Sequence, residues 1–181
     1  MKSLGIIAGG GEYPLLLASE ARQQGVSRIV VAAFEGETKP EIQGLVNEVE
    51  WMRVGQLGRL VSFFEKQKVN EVMMAGQIAP SNLFQLRPDL KALVLLAKLK
   101  ERNAESIFGA IADELQKKKI TLLPATTYLD EYLAVEGHFA GPQLRRVEES
   151  DVEFGFRIAK EMSRLDIGQT VVVKKGTVLA V

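Results

Sequence analysis

A chain of 181 residues, 46% of them hydrophobic, can bury one good core, or form one domain plus the start of another. Its 23 basic and 23 acidic residues cancel, which argues against a nucleic-acid binder that relies on counterion release. Cysteine is absent and His138 is the single histidine, so disulfides, thiolate metal sites and a histidine-rich zinc site are excluded.

The opening segment MKSLGIIAGGGEYP has one lysine and an apolar run too short for a signal sequence, ending in glycines. No apolar stretch is long enough to span a bilayer; the longest, from Leu90 to Leu99, is interrupted by Lys91 and Lys98. A cytoplasmic location is the expectation.

Leu4 to Ala8 reads as a strand buried on both faces, closed by Gly9, Gly10 and Gly11. Pro14 suits the first turn of a helix that places Leu16, Leu17 and Ala21 on one face and stops at Gly25. Arg28 to Phe34 is a second buried strand, with Glu35 and Gly36 at its carboxyl end, and Val49 to Val54 a third. A helix with Leu57, Leu60, Val61 and Phe64 at helical spacing follows Gly55. Glu71 to Ala75 is the fourth strand, closed by Gly76 and Pro80. Two helices come next, one with Leu90, Leu93, Val94 and Ala97 along one face, the other with Ile107, Phe108, Ile111, Ala112 and Leu115. Ile120 to Leu123 is the fifth strand.

The alternation predicts an α/β fold, a Rossmann-like, mostly parallel sheet with helices on both faces. In such sheets ligands sit beyond the carboxyl ends of the strands. Past about Thr126 the pattern changes. Gly137, Gly141 and Pro142 mark a linker, Ser150 and Glu153 form a capping-box pattern before a helix with Val152, Phe156, Ala159 and Met162 on one face, and two short strands flank Lys174-Lys175-Gly176. The expected organisation is a Rossmann-like N-terminal domain over 1–130, a linker over 131–147 and, over 148–181, the incomplete beginning of a second, α+β domain of a longer protein.

The clearest chemical signal is Gly9-Gly10-Gly11-Glu12-Tyr13-Pro14. Glycines let backbone approach a phosphate, and free amides and the dipole at the following helix N-terminus favour an anion. The plain alternative is a tight strand-to-helix turn without a ligand. Gly9 and Gly11 match the first two glycines of the dinucleotide fingerprint, but Pro14 stands where the third belongs, and no P-loop lysine follows. Glu35 reads either as a ribose ligand or as a solvated loop acid. Gly76-Gln77 and Thr126, with Thr127 and Tyr128, are placed at the same sheet edge; Asn103, between two helices, reads as a helix N-cap or a ligand contact, and Asp89 as a helix N-cap. No cluster of acids suited to catalysis stands out.

The segments IIAGGGEYP, GQLGRLVSFF, VMMAGQI, RNAESIFGAIADEL and LDIGQTVVVKKGTVLAV, in this order along the whole chain, resemble the LpxI family of UDP-2,3-diacylglucosamine pyrophosphatases of lipid A biosynthesis. The resemblance implies a Rossmann-like front domain and a differently folded back domain. It implies attack of water on the α-phosphorus of a UDP-linked acylated sugar with Mg2+, giving UMP and the lipid sugar 1-phosphate (lipid X), and contact with the inner membrane through the lipid substrate. The family's acidic EGTD-type stretch, expected just after VLAV, is not in this sequence, so the chain is expected to supply the nucleotide-binding half. Candidate substrate-binding residues are Gly9, Gly10, Gly11, Glu12, Tyr13, Gly76, Gln77, Asn103, Thr126 and Gln169. No catalytic residue or metal ligand is assigned, and a homo-oligomer is expected from apolar surface around Val171 to Val181. An NAD-type Rossmann oxidoreductase domain and a non-catalytic nucleotide-binding module are the competing readings.

Overall fold

The computed structural model describes residues 2–78, 88–99 and 104–181. They divide into two compact units, Met1–Leu133 and Ala134–Val181.

The first unit is a doubly wound sheet. Strands β1 (Ser3–Ala8), β2 (Arg28–Phe34), β3 (Glu48–Met52), β4 (Glu71–Ala75) and β5 (Thr121–Leu122) lie in the order β3-β2-β1-β4-β5, every neighbouring pair parallel. The chain runs outward from β1 in one direction, then returns to β4 on its other side. The topological switch point therefore falls between β1 and β4, the crevice where doubly wound sheets take ligands. The interior strands β1, β2 and β4 are almost wholly buried, which is why they read as unbroken apolar runs instead of alternating ones.

Helices cover both faces. On one, α1 (Tyr13–Gln23) packs Leu17, Ala18 and Ala21 against Leu4, Ile6, Ile29 and Val31. The turn after α1 is closed by Gly25 in the left-handed region (φ 89°), with the Val26 amide on the Ala21 carbonyl at 2.9 Å. On the other, α2 (Leu57–Gln67) lays Phe63, Phe64, Leu60 and Val61 on Val30, Ala32 and Val72. Gly5 on β1 makes that possible, because a Cβ there would stand 2.7 Å from the Phe64 ring and 2.8 Å from Val72.

Helices α3 (Leu90–Lys98) and α4 (Ala104–Gln116) join α2 on the second face. The apolar faces of these two helices are only partly covered. Ala92 and Leu95 of α3 turn inward, whereas Leu90, Leu93 and Val94 are exposed; on α4, Leu115 and Ile111 pack and Phe108 is exposed. Helix α3 is apolar nearly all round (LKALVLLAK), so periodicity cannot select its inner side. A tertiary contact does. The Asp89 carboxylate caps α3 through the Ala92 amide at 2.9 Å and also takes the Gly58 amide of α2 at 2.6 Å. That clamp fixes the roll of α3, and the small Ala92 follows into the interface. The Asp89 N-cap is where the sequence placed it.

The second unit holds α5 (Arg146–Arg164) and the antiparallel hairpin β6 (Val172–Lys174) with β7 (Thr177–Ala180). Helix α5 starts earlier than the Ser150 pattern suggests. The Glu148 carboxylate accepts the Arg145 amide at 2.8 Å and pairs with its guanidinium at 2.6 Å, while Ser150 sits inside the helix with its hydroxyl on the Arg146 carbonyl. On the face shared by Val152, Phe156 and Met162, the first two are exposed and Met162 is buried. The hairpin turn has Lys175 and Gly176 both at positive φ (48° and 73°), the signature of a type I′ turn. Asp151 of α5 receives both their amides, at 2.7 and 2.6 Å, holding lysine in a backbone region it rarely adopts.

Candidate functional site

The carboxyl ends of β1 and β4 are sewn together just beyond the sheet. The Gly9 amide donates to the Ala75 carbonyl at 2.8 Å, the Gly10 amide to Gln77 O at 2.7 Å, and the Gln77 amide returns to Gly10 O at 3.3 Å. Only glycines permit this approach. A Cβ on Gly9 would lie 2.5 Å from Gln77 O, and one on Gly76, whose φ is 88°, would lie 2.4 Å from Gly10 O. The glycines after strands one and four thus serve first to close the crevice floor.

That use divides the glycine loop. The amides of Gly9 and Gly10 are taken by protein carbonyls, so a ligand is left with those of Gly11, Glu12 and Tyr13. Among the described residues none of these three has a backbone acceptor, and α1 has no side-chain N-cap. Gly11 is exposed, at φ 88°, with no atom within 4 Å of where its Cβ would be. Pro14, in the first turn of α1, removes one orphan donor without loss. The arrangement suits an anion lying against the helix start, where the dipole adds a favourable potential.

Charge around this edge is mixed. The Lys39 ammonium is ion-paired with the Glu12 carboxylate, and this partner holds the Lys39 pKa above its ordinary value. A Glu37 carboxylate oxygen lies 3.5 Å from the Cβ position of Gly10. Thr38, buried, donates its hydroxyl to the Ala8 carbonyl and accepts the Phe34 amide at 2.9 Å, tying the ends of β1 and β2. The Tyr13 hydroxyl donates to the Ala125 carbonyl behind β5, and burial raises its pKa above the ordinary value. Among the described residues no three His, Asp or Glu side chains converge as a metal site.

Comparison with known proteins agrees with that architecture. The family model of the LpxI N-terminal domain matches residues 3–132, and that of the LpxI C-terminal domain matches residues 135–181. The chain belongs to the LpxI family. It is 26% identical over 184 residues to the UDP-2,3-diacylglucosamine pyrophosphatase LpxI of Caulobacter vibrioides; all of this chain is covered, and 65% of that relative.

Of the residues expected to bind substrate in this LpxI-family chain, Gly9, Gly10, Gly11, Glu12, Tyr13, Gly76 and Gln77 come together at the β1/β4 edge. Thr126 is exposed in the loop after β5, next to the carbonyl that holds Tyr13. Tyr128, expected at the same edge, is not there: its carbonyl takes the Gln24 amide group at the far end of α1, and the Lys2 ammonium lies 4.8 Å from its ring centre. Asn103 and Pro80 lie outside the described residues, and Gln169 is an exposed residue of the second unit. Glu35 is 3.5 Å from the Arg53 guanidinium. His138 sits with Nε2 3.0 Å from the Pro142 carbonyl, exposed. Sequence reasoning missed Thr38 and Lys39. Their signal was a hydroxyl and a cation just before Pro40, beyond the carboxyl end of β2.

Proposed function

We propose that this chain acts in hydrolysis of a UDP-linked diacylated glucosamine to UMP and lipid X, and that the β1–α1 turn seats the nucleotide's phosphates. The observation that carries the reading is the pair of LpxI domain matches across a chain whose first helix opens, uncapped, at the switch point of the sheet. The chain spans 65% of the length of its Caulobacter relative, so the activity of the whole relative comes to it only as a proposal.

In this reading, water attacks the α-phosphorus, the bond to the bridging oxygen breaks, and the β-phosphate leaves with the sugar. The amides of Gly11, Glu12 and Tyr13 hold charge on the nucleotide. Lys39 exchanges its Glu12 partner for a phosphate oxygen. Gln77 and Thr126 face the same edge for further polar contact. Magnesium belongs to the family reading, but the described residues present no set of three ligands for it, so no step is routed through the metal. The reading further places the chain on the cytoplasmic side, in a homo-oligomer, meeting the inner membrane through its lipid substrate. No described helix is long and apolar enough to cross a bilayer.

Thermal melting with UDP, UMP and NADH tests the proposal. A ligand present at 100 times its dissociation constant adds about 2.7 kcal/mol of stability. Selective stabilisation by the uridine nucleotides is expected. Selective stabilisation by NADH, or no shift with any of the three, would refute it.

A further inference from the structure

Helix α3 turns apolar side chains outward as well as inward. Leu90 is 77% exposed, Leu93 51% and Val94 47%, and Ala97 continues the same face at helical spacing. Leu95, Leu99 and Ala110 lie in a groove of about 620 Å³ beside it, between α3 and α4, whose charged lining is Lys91, Lys98 and Lys117 against Asp113 and Glu114. These side chains form one continuous strip along the helix, small in area.

The charges framing the strip have one sign on α3. Lys91 and Lys98 are its only charged residues. Lys98 has no carboxylate within ion-pair distance among the described residues, and Glu114 of α4 is already held by both Lys91, at 2.8 Å, and Lys117. We infer that α3 is an interfacial element that lays Leu90, Leu93 and Val94 into an anionic phospholipid monolayer, with Lys98 at the headgroups. The physical fit is that of a short amphipathic helix lying in the membrane plane, where modest apolar burial and basic residues act together.

A second copy of the chain fits this strip less well. Nine residues at about 1.5 Å each make it about 13 Å long and on the order of 130 Å² in area, against about 800 Å² per partner in a stable dimer. Pairing two such faces would also bring lysine-bearing rims together. The inference rests on the proposed function in one respect: a protein whose substrate carries two acyl chains meets that substrate at a lipid surface.

The test is sedimentation of the full 181-residue chain with vesicles of phosphatidylethanolamine and phosphatidylglycerol, free of any UDP-lipid. Reversible binding that weakens with added salt and on pure phosphatidylcholine vesicles is expected. Leu93→Glu with Val94→Glu should lower the partition by about tenfold or more. Lys98→Glu, a milder surface change, should lower it too, with circular dichroism confirming that both variants are folded. Absence of wild-type binding, or equal binding by both folded variants, overturns the inference. So does a change of oligomeric state in the double variant at unchanged vesicle binding, since the strip would then be a protein interface. Because no nucleotide is present, failure here leaves the uridine melting result untouched, and the reverse holds as well.

Discussion

The carboxylate of Asp89 accepts the amide of Gly58 at 2.6 Å, across 31 positions of sequence, while its other oxygen caps its own helix at Ala92. One side chain therefore satisfies orphan donors at two helix starts, and an ideal Cβ on Gly58 would stand 3.0 Å from the same oxygen. Asp89→Ala should cost about 2 kcal/mol, roughly one cap for each helix. Urea denaturation measures it. A loss below about 0.5 kcal/mol would show that water replaces both bonds.

Two glycines in neighbouring loops should respond differently to substitution. Gly76→Ala meets the Gly10 carbonyl at 2.4 Å as well as an unfavourable φ, so it should destabilise by about 2–4 kcal/mol. Gly11→Asp has open space and should cost about 1 kcal/mol for its φ alone. That same aspartate sets a negative charge where the amides await an anion, so UMP affinity by calorimetry should fall. Unchanged affinity would remove the β1–α1 turn from the site.

Glu114 supplies a pH dependence. Hydrogen bonds from Lys117 and then Lys91 lower its pKa from 4.5 to about 2. A carboxylate whose folded pKa lies below its unfolded one stabilises the fold above the unfolded value, and that contribution disappears as pH falls through the folded one. Thermal stability should thus decline between about pH 4.5 and 2 more steeply in the wild type than in Glu114→Gln, which has no such proton to take up. Parallel curves would show that the two lysines are not bound to Glu114 in solution.

Lys68, at the end of α2, sits at φ 54° in the left-handed region that glycine fills most readily. Lys68→Gly should stabilise the fold by about 0.5–1 kcal/mol after the entropic cost of glycine is offset. Chemical denaturation checks this, and a destabilised variant would mean that the lysine side chain makes up the difference.

Much of the first unit was legible because its signals are local. Leu4 to Ala8, the three glycines and Pro14 lie within eleven residues, and each has one structural reading in that order. The inward side of α3 was not legible, since a helix apolar nearly all round has no preferred face until Asp89 ties it down. The start of α5 was missed because Glu148 works there with Arg145 and not with a serine or threonine. At the candidate site, sequence marked the glycines that meet at the β1/β4 edge but not which of their amides are taken. That Gly9 and Gly10 spend their amides on Ala75 and Gln77 depends on a strand far along the chain, and the Lys39–Glu12 pair also joins separate loops.

The stitch between Gly10 and Gln77 gives the loop two kinds of proton side by side. The hydrogen on Gly10 nitrogen is locked against a carbonyl and should trade with deuterium only when the edge of the sheet opens. Its neighbour on Gly11 has no backbone acceptor among the described residues and should trade much faster. An abrupt step in isotope uptake between adjacent residues would mark where scaffold stops and recognition starts, and a bound nucleotide should slow only the second of them.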